Sequence, residues 1–233
     1  MSWTDRFARE AILKLRDDFK INTMLETGTY KGVNAELYAQ HFDHVLTVDI
    51  HDEYLNVASK RLEKYKNVEI WKMNSWELIE RFIENYTRMG RDDTVLFYLD
   101  AHFFDPSLFG EDRWVILKEL RALKNFDNCV VCIDDFDCEN MGHLRYGGEE
   151  LNWNLIKEYV NPKLFVYSNT RKWCDIYNEN TIQELPITVD WHVLDTLQYA
   201  NSSDEKKYRG RIYFVPRELD LINYNLKKYA NEK

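Results

Sequence analysis

Met24-Leu25-Glu26-Thr27-Gly28-Thr29-Tyr30-Lys31-Gly32 decides how this chain folds. An apolar run, Ile21–Leu25, leads into it and a helical stretch follows, so the two glycines sit at a strand-to-helix turn. Glycine there lets the backbone reverse sharply and approach a ligand closely, with the first amides of the helix pointing outward. The next strand, His44–Ile50, ends on Val48-Asp49-Ile50. An acidic side chain at the end of a second strand, about 20 residues past such a turn, is placed to accept hydrogen bonds from ribose hydroxyls.

The same rhythm continues outward from the turn. Trp3, Phe7, Ile12, Leu15 and Phe19 recur near a 3.6 period, which makes residues 1–20 an amphipathic helix. Downstream, the patterns predict a helix at Asp52–Tyr65, a strand at Val68–Met73 and a helix at Ser75–Arg88. They continue with a strand at Thr94–Ala101, a helix at Trp114–Leu123 and a strand at Cys129–Phe136. A helix at Glu149–Val160, the run Leu164–Tyr167 and a last strand at Arg211–Val215 complete the series. Strict strand–helix alternation implies an α/β, doubly wound, mostly parallel sheet with helices on both faces. With four prolines, eight glycines and no low-complexity linker in 233 residues, one domain is expected over 1–233. Residues 170–210 lack βα rhythm and read as an insertion with structure of its own before the last strand.

Bulk properties narrow the partners. The net charge of −9 would repel a phosphate backbone on average, and Lys60-Arg61 with Lys64 and Lys66 reads as a solvated helix face. Nucleic acid is therefore not the expected partner. No apolar run approaches the ~20 residues that span a bilayer, and Met1–Arg6 has no apolar signal core, so a cytoplasmic protein is expected. Cys129-x-x-Cys132, with Cys138 and His143 after it, raises a zinc site. The cysteines lie on an unbroken β-type run, however, where positions three apart face opposite ways, so buried thiols are expected. Oligomeric state is open, a homo-oligomer included.

The turn departs from a dinucleotide-binding pattern, because Tyr30 and Lys31 stand where a pyrophosphate cradle would continue. Glu26, two residues before Gly28, suits a cationic amino-acid ligand better than a pyrophosphate. Here the chain resembles the class I S-adenosylmethionine-dependent methyltransferases. Glu26-x-Gly28-x-x-x-Gly32 resembles their first motif, with Tyr30 in place of a common middle glycine. The resemblance covers roughly residues 20–170 and implies a Rossmann-like, seven-stranded sheet whose last strand is antiparallel. It also implies a cofactor site of Glu26, Thr27, Gly28, Thr29, Gly32, Asp49 and Ile50, with Asn74 and Ser75 near the adenine.

Two further segments carry chemistry: Tyr98-Leu99-Asp100-Ala101-His102 and Cys132-Ile133-Asp134-Asp135-Phe136. Both end apolar strands on the side where open parallel sheets bind ligands. Three carboxylates together repel unless a cation relieves them, so Asp100, Asp134 and Asp135 are expected to ligate Mg²⁺ or Mn²⁺. Such an ion lowers the pKa of a substrate hydroxyl, and His102 beside Asp100 is the candidate general base. The arrangement is similar to that of the metal-dependent macrocin-type O-methyltransferases, which implies a small hydroxylated acceptor such as a sugar. Glu119 is expected on the surface of its helix. Glycines 147 and 148 read as a turn into the following helix or a lid hinge. His143, Arg145 and Tyr146 are expected near the site's mouth. Trp173, Trp191 and His192 are candidates for an acceptor-binding wall. Metal-free N-methylation, a non-catalytic binding module and an NAD-linked enzyme remain alternatives, the last disfavoured by the incomplete cradle.

Overall fold

The computed structural model describes residues 6–102, 113–138, 144–146, 149–169, 210–224 and 226–229. Through the fifth strand the elements follow the expected order. Helix α1 (Arg6–Phe19) precedes β1 (Thr23–Thr27), α2 (Val33–Tyr38), β2 (His44–Asp49), α3 (Asp52–Leu62), β3 (Val68–Lys72) and α4 (Ser75–Arg88). Then come β4 (Val95–Leu99), α5 (Val115–Leu123), β5 (Cys129–Ile133), β6 (Arg145–Tyr146), β7 (Glu149–Glu150) and α6 (Trp153–Ile156). Among the described residues, strands β8 (Phe165–Asn169) and β9 (Ile212–Val215), a short 3-10 turn (Leu221–Asn223) and strand β10 (Leu226–Lys228) follow.

The main sheet runs β10-β8-β9-β5-β4-β1-β2-β3. Strands β3, β2, β1, β4 and β5 are parallel, and β9 pairs antiparallel with β5, Val131 against Phe214. Winding runs one way from β1 through β2 and β3, and the other way through β4 and β5. The order therefore reverses between β1 and β4, which opens a crevice at their carboxyl ends.

Period-two alternation explains the two buried faces. Leu25, Val95, Phe97, Cys129 and Val131 pack with α4 and α5 on one side. Met24, Leu96, Tyr98, Val130 and Cys132 pack with α1, α2 and α3 on the other. All five residues of β1, β4 and β5 are buried, as central parallel strands require. Cys129 and Cys132 point into opposite cores, so a zinc knuckle cannot form from them. Leu55, Ala58 and Leu62 of α3 are buried as expected. Among the described residues, no helix is long and apolar enough to cross a membrane.

Three expectations need correction. The sheet has eight strands, because β10 pairs antiparallel with β8, Leu226 opposite Asn169. Its sequence, Leu226-Lys227-Lys228, holds one apolar residue and is too short to show periodicity. The helix expected at Glu149–Val160 is instead a strand and one short helix. Glu149 and Glu150 pair with Arg145 and Tyr146 in a two-stranded hairpin, and Asn152 then starts α6 by accepting a bond from Leu155 N at 3.2 Å. Lys64 and Arg61 are more than a solvated face, since both pair with Glu36 at 3.0 Å across to α2. Trp173, Trp191, His192 and His143 lie outside the described residues.

Candidate cofactor and cation site

The turn after β1 alternates in hand. Gly28, Tyr30 and Gly32 have φ of 82°, 47° and 74°, so every second residue is left-handed. Tyr30 keeps the conformation a glycine would take at the middle position, at a steric cost of about 1–2 kcal/mol. Two contacts hold it there. Its backbone N–H donates to Asp49 Oδ2 at 2.8 Å, and its ring meets Tyr54 edge-on at 4.6 Å between centroids. Asp49 Oδ1 accepts from the N–H of His51 at 3.0 Å. Each carboxylate oxygen has a second lone pair for a hydroxyl donor. Ile50, next to it, is 43% exposed and offers an apolar surface beyond the strand end.

Glu26 lies beneath the turn rather than at its mouth. It is buried, and its two oxygens accept from Asn34 Nδ2 and Thr47 Oγ1, each at 2.6 Å. Thr29 Oγ1 is 2.7 Å from Thr47 Oγ1, so one hydroxyl relay ties the turn to the carboxylate. Burial pushes Glu26 up to about 7 against the pull of Thr47 and Asn34, and the charge of Asp49 adds to the rise. Thr27, also buried, is a strut: its hydroxyl oxygen accepts from the N–H of Asp100 at 3.1 Å and of Ala101 at 3.3 Å. After β3, Asn74 precedes α4 and donates to Glu77 at 3.2 Å. Ser75 is buried at the first turn of that helix.

Glu119 is not on the surface of α5. It is fully buried, and the Ser75 and Thr27 hydroxyls beside it only partly offset a burial that pushes it up to about 7. It sits three residues after Ile116 and four before Leu123, both buried, on one face of the helix. That spacing was the signal for it.

Gly28 lies against the end of β4: a Cβ on it would stand 2.5 Å from the carbonyl oxygen of Asp100. The turn and the acidic strand ends are therefore one site. Among the described residues, Asp100, His102 and Asp135 form a group whose ligand atoms all lie within 4.8 Å of one another. His102 Nε2 is 3.4 Å from Asp100 Oδ1 and 3.9 Å from Asp135 Oδ2. Asp135 is a third left-handed residue without being glycine, at φ 57°. Burial and the charges of Asp134, Asp135 and Glu26 raise the Asp100 carboxyl well above the ordinary range.

Asp134, expected as the third carboxylate of this group, is engaged elsewhere. It pairs with Arg211 Nε at 2.9 Å, both side chains being fully buried, and accepts from the Tyr98 hydroxyl at 2.7 Å. Burial works to raise its pKa, yet the Arg211 charge and these hydrogen bonds hold the carboxyl well below the usual range. Arg211 carried no signal in the sequence, since nothing local links it to Asp134.

No family model and no curated protein matches the chain. Solved structures do resemble it. One is a SAM-dependent methyltransferase from Anabaena variabilis (16% identity, TM-score 0.39), matched over 57% of this chain and 53% of that one. The chain thus spans about half the length of that relative. Another is a putative O-methyltransferase from Klebsiella pneumoniae (13% identity, TM-score 0.49), matched over 90% of this chain and 80% of that one. A third is the N-methyltransferase NodS from Bradyrhizobium japonicum (12% identity, TM-score 0.48), over 92% and 97%. Likenesses this distant carry no functional argument. The fold follows from the strand order above, and function has to come from the site.

Proposed function

We propose that the protein transfers the methyl group of S-adenosylmethionine to a hydroxyl of a small molecule such as a sugar, with help from a divalent cation. One observation carries this reading: the backbone of Asp100 packs on the Gly28 turn while its carboxylate belongs to the Asp100–His102–Asp135 group. A donor held at the turn is then adjacent to an acceptor held at the group.

The donor set fits S-adenosylmethionine better than a dinucleotide. Carboxylates underlie and border the turn where a pyrophosphate would need amides and cations, so the local field favours a ligand bearing an ammonium and a sulfonium. Asp49 would accept from the ribose hydroxyls, and Ile50 would lie along the adenine. Glu26 contributes from below, through its field and the Thr47–Thr29 relay. The bound cofactor supplies an already activated methyl group, so the chain's task is orientation and charge compensation.

The acidic group also fits a cation. With Asp134 neutralised by Arg211, Asp100 and Asp135 leave two negative charges to balance a divalent ion, and His102 adds a neutral nitrogen. A mixed nitrogen and oxygen set suits Mn²⁺ better than Mg²⁺. His102 would thereby serve as third donor rather than general base, and the proton of the acidified acceptor hydroxyl would pass to bulk water as the methyl group arrives. When bound, the ion supplies the positive charge that acidifies an acceptor hydroxyl. Asp100, His102 and Asp135 would hold the ion, and the packing of Gly28 on Asp100 keeps the donor and acceptor halves of the site together.

The test is incubation with methyl-labelled S-adenosylmethionine and a panel of hydroxylated small molecules, in Mn²⁺ or in EDTA. Label on oxygen that disappears in EDTA supports the reading. Transfer that survives both EDTA and Asp135→Asn removes the cation from it. Label found only on nitrogen overturns the choice of acceptor.

A further inference from the structure

Asp134 and Asp135 are neighbours with identical side chains and opposite fates, and Arg211 is what separates them. We infer that Arg211 is a positioning residue for the cation site, acting through Asp134 on Asp135; the inference rests on the cation reading above.

The geometry is a closed chain of contacts. Arg211 Nε meets Asp134 Oδ1 at 2.9 Å, and Tyr98 donates to Asp134 Oδ2 at 2.7 Å. The N–H of Asp135 donates to Asp134 Oδ1 at 2.9 Å. That bond is made where the backbone turns left-handed at Asp135 (φ 57°), and the turn leaves Asp135 Oδ2 3.9 Å from His102 Nε2. A guanidinium is suited to this role because its fork is rigid and its charge permanent.

Arg211 is itself fixed by its backbone. Its N–H donates to Asn169 Oδ1 at 2.9 Å, and its carbonyl accepts from the N–H of Asn169 at 3.3 Å. The preceding Gly210 accepts from the N–H of Phe136 at 2.9 Å. A Cβ on Gly210 would overlap the Phe136 carbonyl oxygen at 1.9 Å, so only glycine permits this approach. The segment that carries Arg211 into β9 is thus clamped to the residue that follows Asp135.

Two consequences follow for a cation. Arg211 removes one of three negative charges, leaving a pair matched to a divalent ion. It also holds the Asp134 carboxylate where it accepts from the N–H of Asp135, which fixes the turn that aims Asp135 at the group; this anchor is what the loss of Arg211 and of the Asp134 charge together removes. Partners that orient a ligand in this way change metal affinity by about 10- to 100-fold when removed.

The test is titration of the full chain with Mn²⁺, free ion being read by electron paramagnetic resonance and folding by circular dichroism. Three variants are compared with the wild type: Arg211→Met/Asp134→Asn, which leaves no buried charge unpaired; Tyr98→Phe; and Glu218→Gln on the exposed surface as control. The inference expects the double variant to stay folded and bind Mn²⁺ about 10- to 100-fold more weakly, with Tyr98→Phe between it and the wild type. A role confined to folding would lower the melting temperature and leave the affinity alone. A double variant within about twofold of the wild type therefore overturns the inference while the cation site stands. Should the double variant unfold, Tyr98→Phe decides: weaker binding supports the inference and unchanged binding overturns it. A wild type that binds no Mn²⁺ overturns the cation site and this inference with it.

Discussion

Gly28 and Asp100 are packed backbone to backbone, so that a Cβ on the first would stand 2.5 Å from the carbonyl oxygen and 2.9 Å from the carbonyl carbon of the second. This contact joins the turn after β1 to the end of β4, and with them the two halves of the site.

Gly28→Ala should therefore be costly in two ways. The residue is left-handed at φ 82°, and the added methyl has rigid backbone on its far side rather than a side chain that can yield. A loss of on the order of 3 kcal/mol is expected, together with weaker binding of both S-adenosylmethionine and Mn²⁺. Gly90→Ala is the control, because φ is 63° there but nothing lies within 4 Å of the added atom. It should cost only about 1 kcal/mol. Chemical denaturation and the two titrations measure the contrast.

Glu119→Gln should stabilise the protein at high pH and not at low pH. Burial raises the carboxyl from 4.5 to about 7, so the folded state holds its proton more tightly than the unfolded state does. Below about pH 4.5 that contribution to stability is fully present, and it is lost as pH rises through 7. At pH 8 the wild type carries a buried charge that the amide does not. The variant should then be more stable by on the order of 2 kcal/mol, with the gain shrinking towards zero near pH 5. Urea unfolding at both values reads the difference directly.

Asp135→Asn should separate stability from binding. Asparagine tolerates the left-handed backbone as well as aspartate does, and it removes a charge that repels Asp100. A melting temperature higher by about 2–4 °C is expected, alongside a loss of Mn²⁺ affinity of about tenfold or more.

The fold was readable because its signals are local and periodic. Met24 and Leu25 enter opposite cores, as their alternation requires, and Gly28 and Gly32 both take the left-handed backbone a tight turn needs. Asp49 stands at the end of β2, where the spacing put it. The site was harder to read because its decisive contacts join residues distant in sequence. Nothing near Asp134 announces Arg211, and nothing near Glu26 announces that Thr47 would cover it. A carboxylate is ordinarily an exposed helix residue, whereas the apolar spacing around Glu119 points inward. The hairpin at Glu149 defeated a helical pattern because Glu149 and Glu150 pair with Tyr146 and Arg145 before Asn152 starts α6.

Calorimetric titration of the full chain with S-adenosylmethionine and with NAD, each with and without Mn²⁺, tests the central claim most directly. The site described here predicts saturable binding of S-adenosylmethionine that Asp49→Ala weakens by about tenfold or more, and no binding of NAD under the same conditions. Saturable binding of NAD with no heat from S-adenosylmethionine would contradict it.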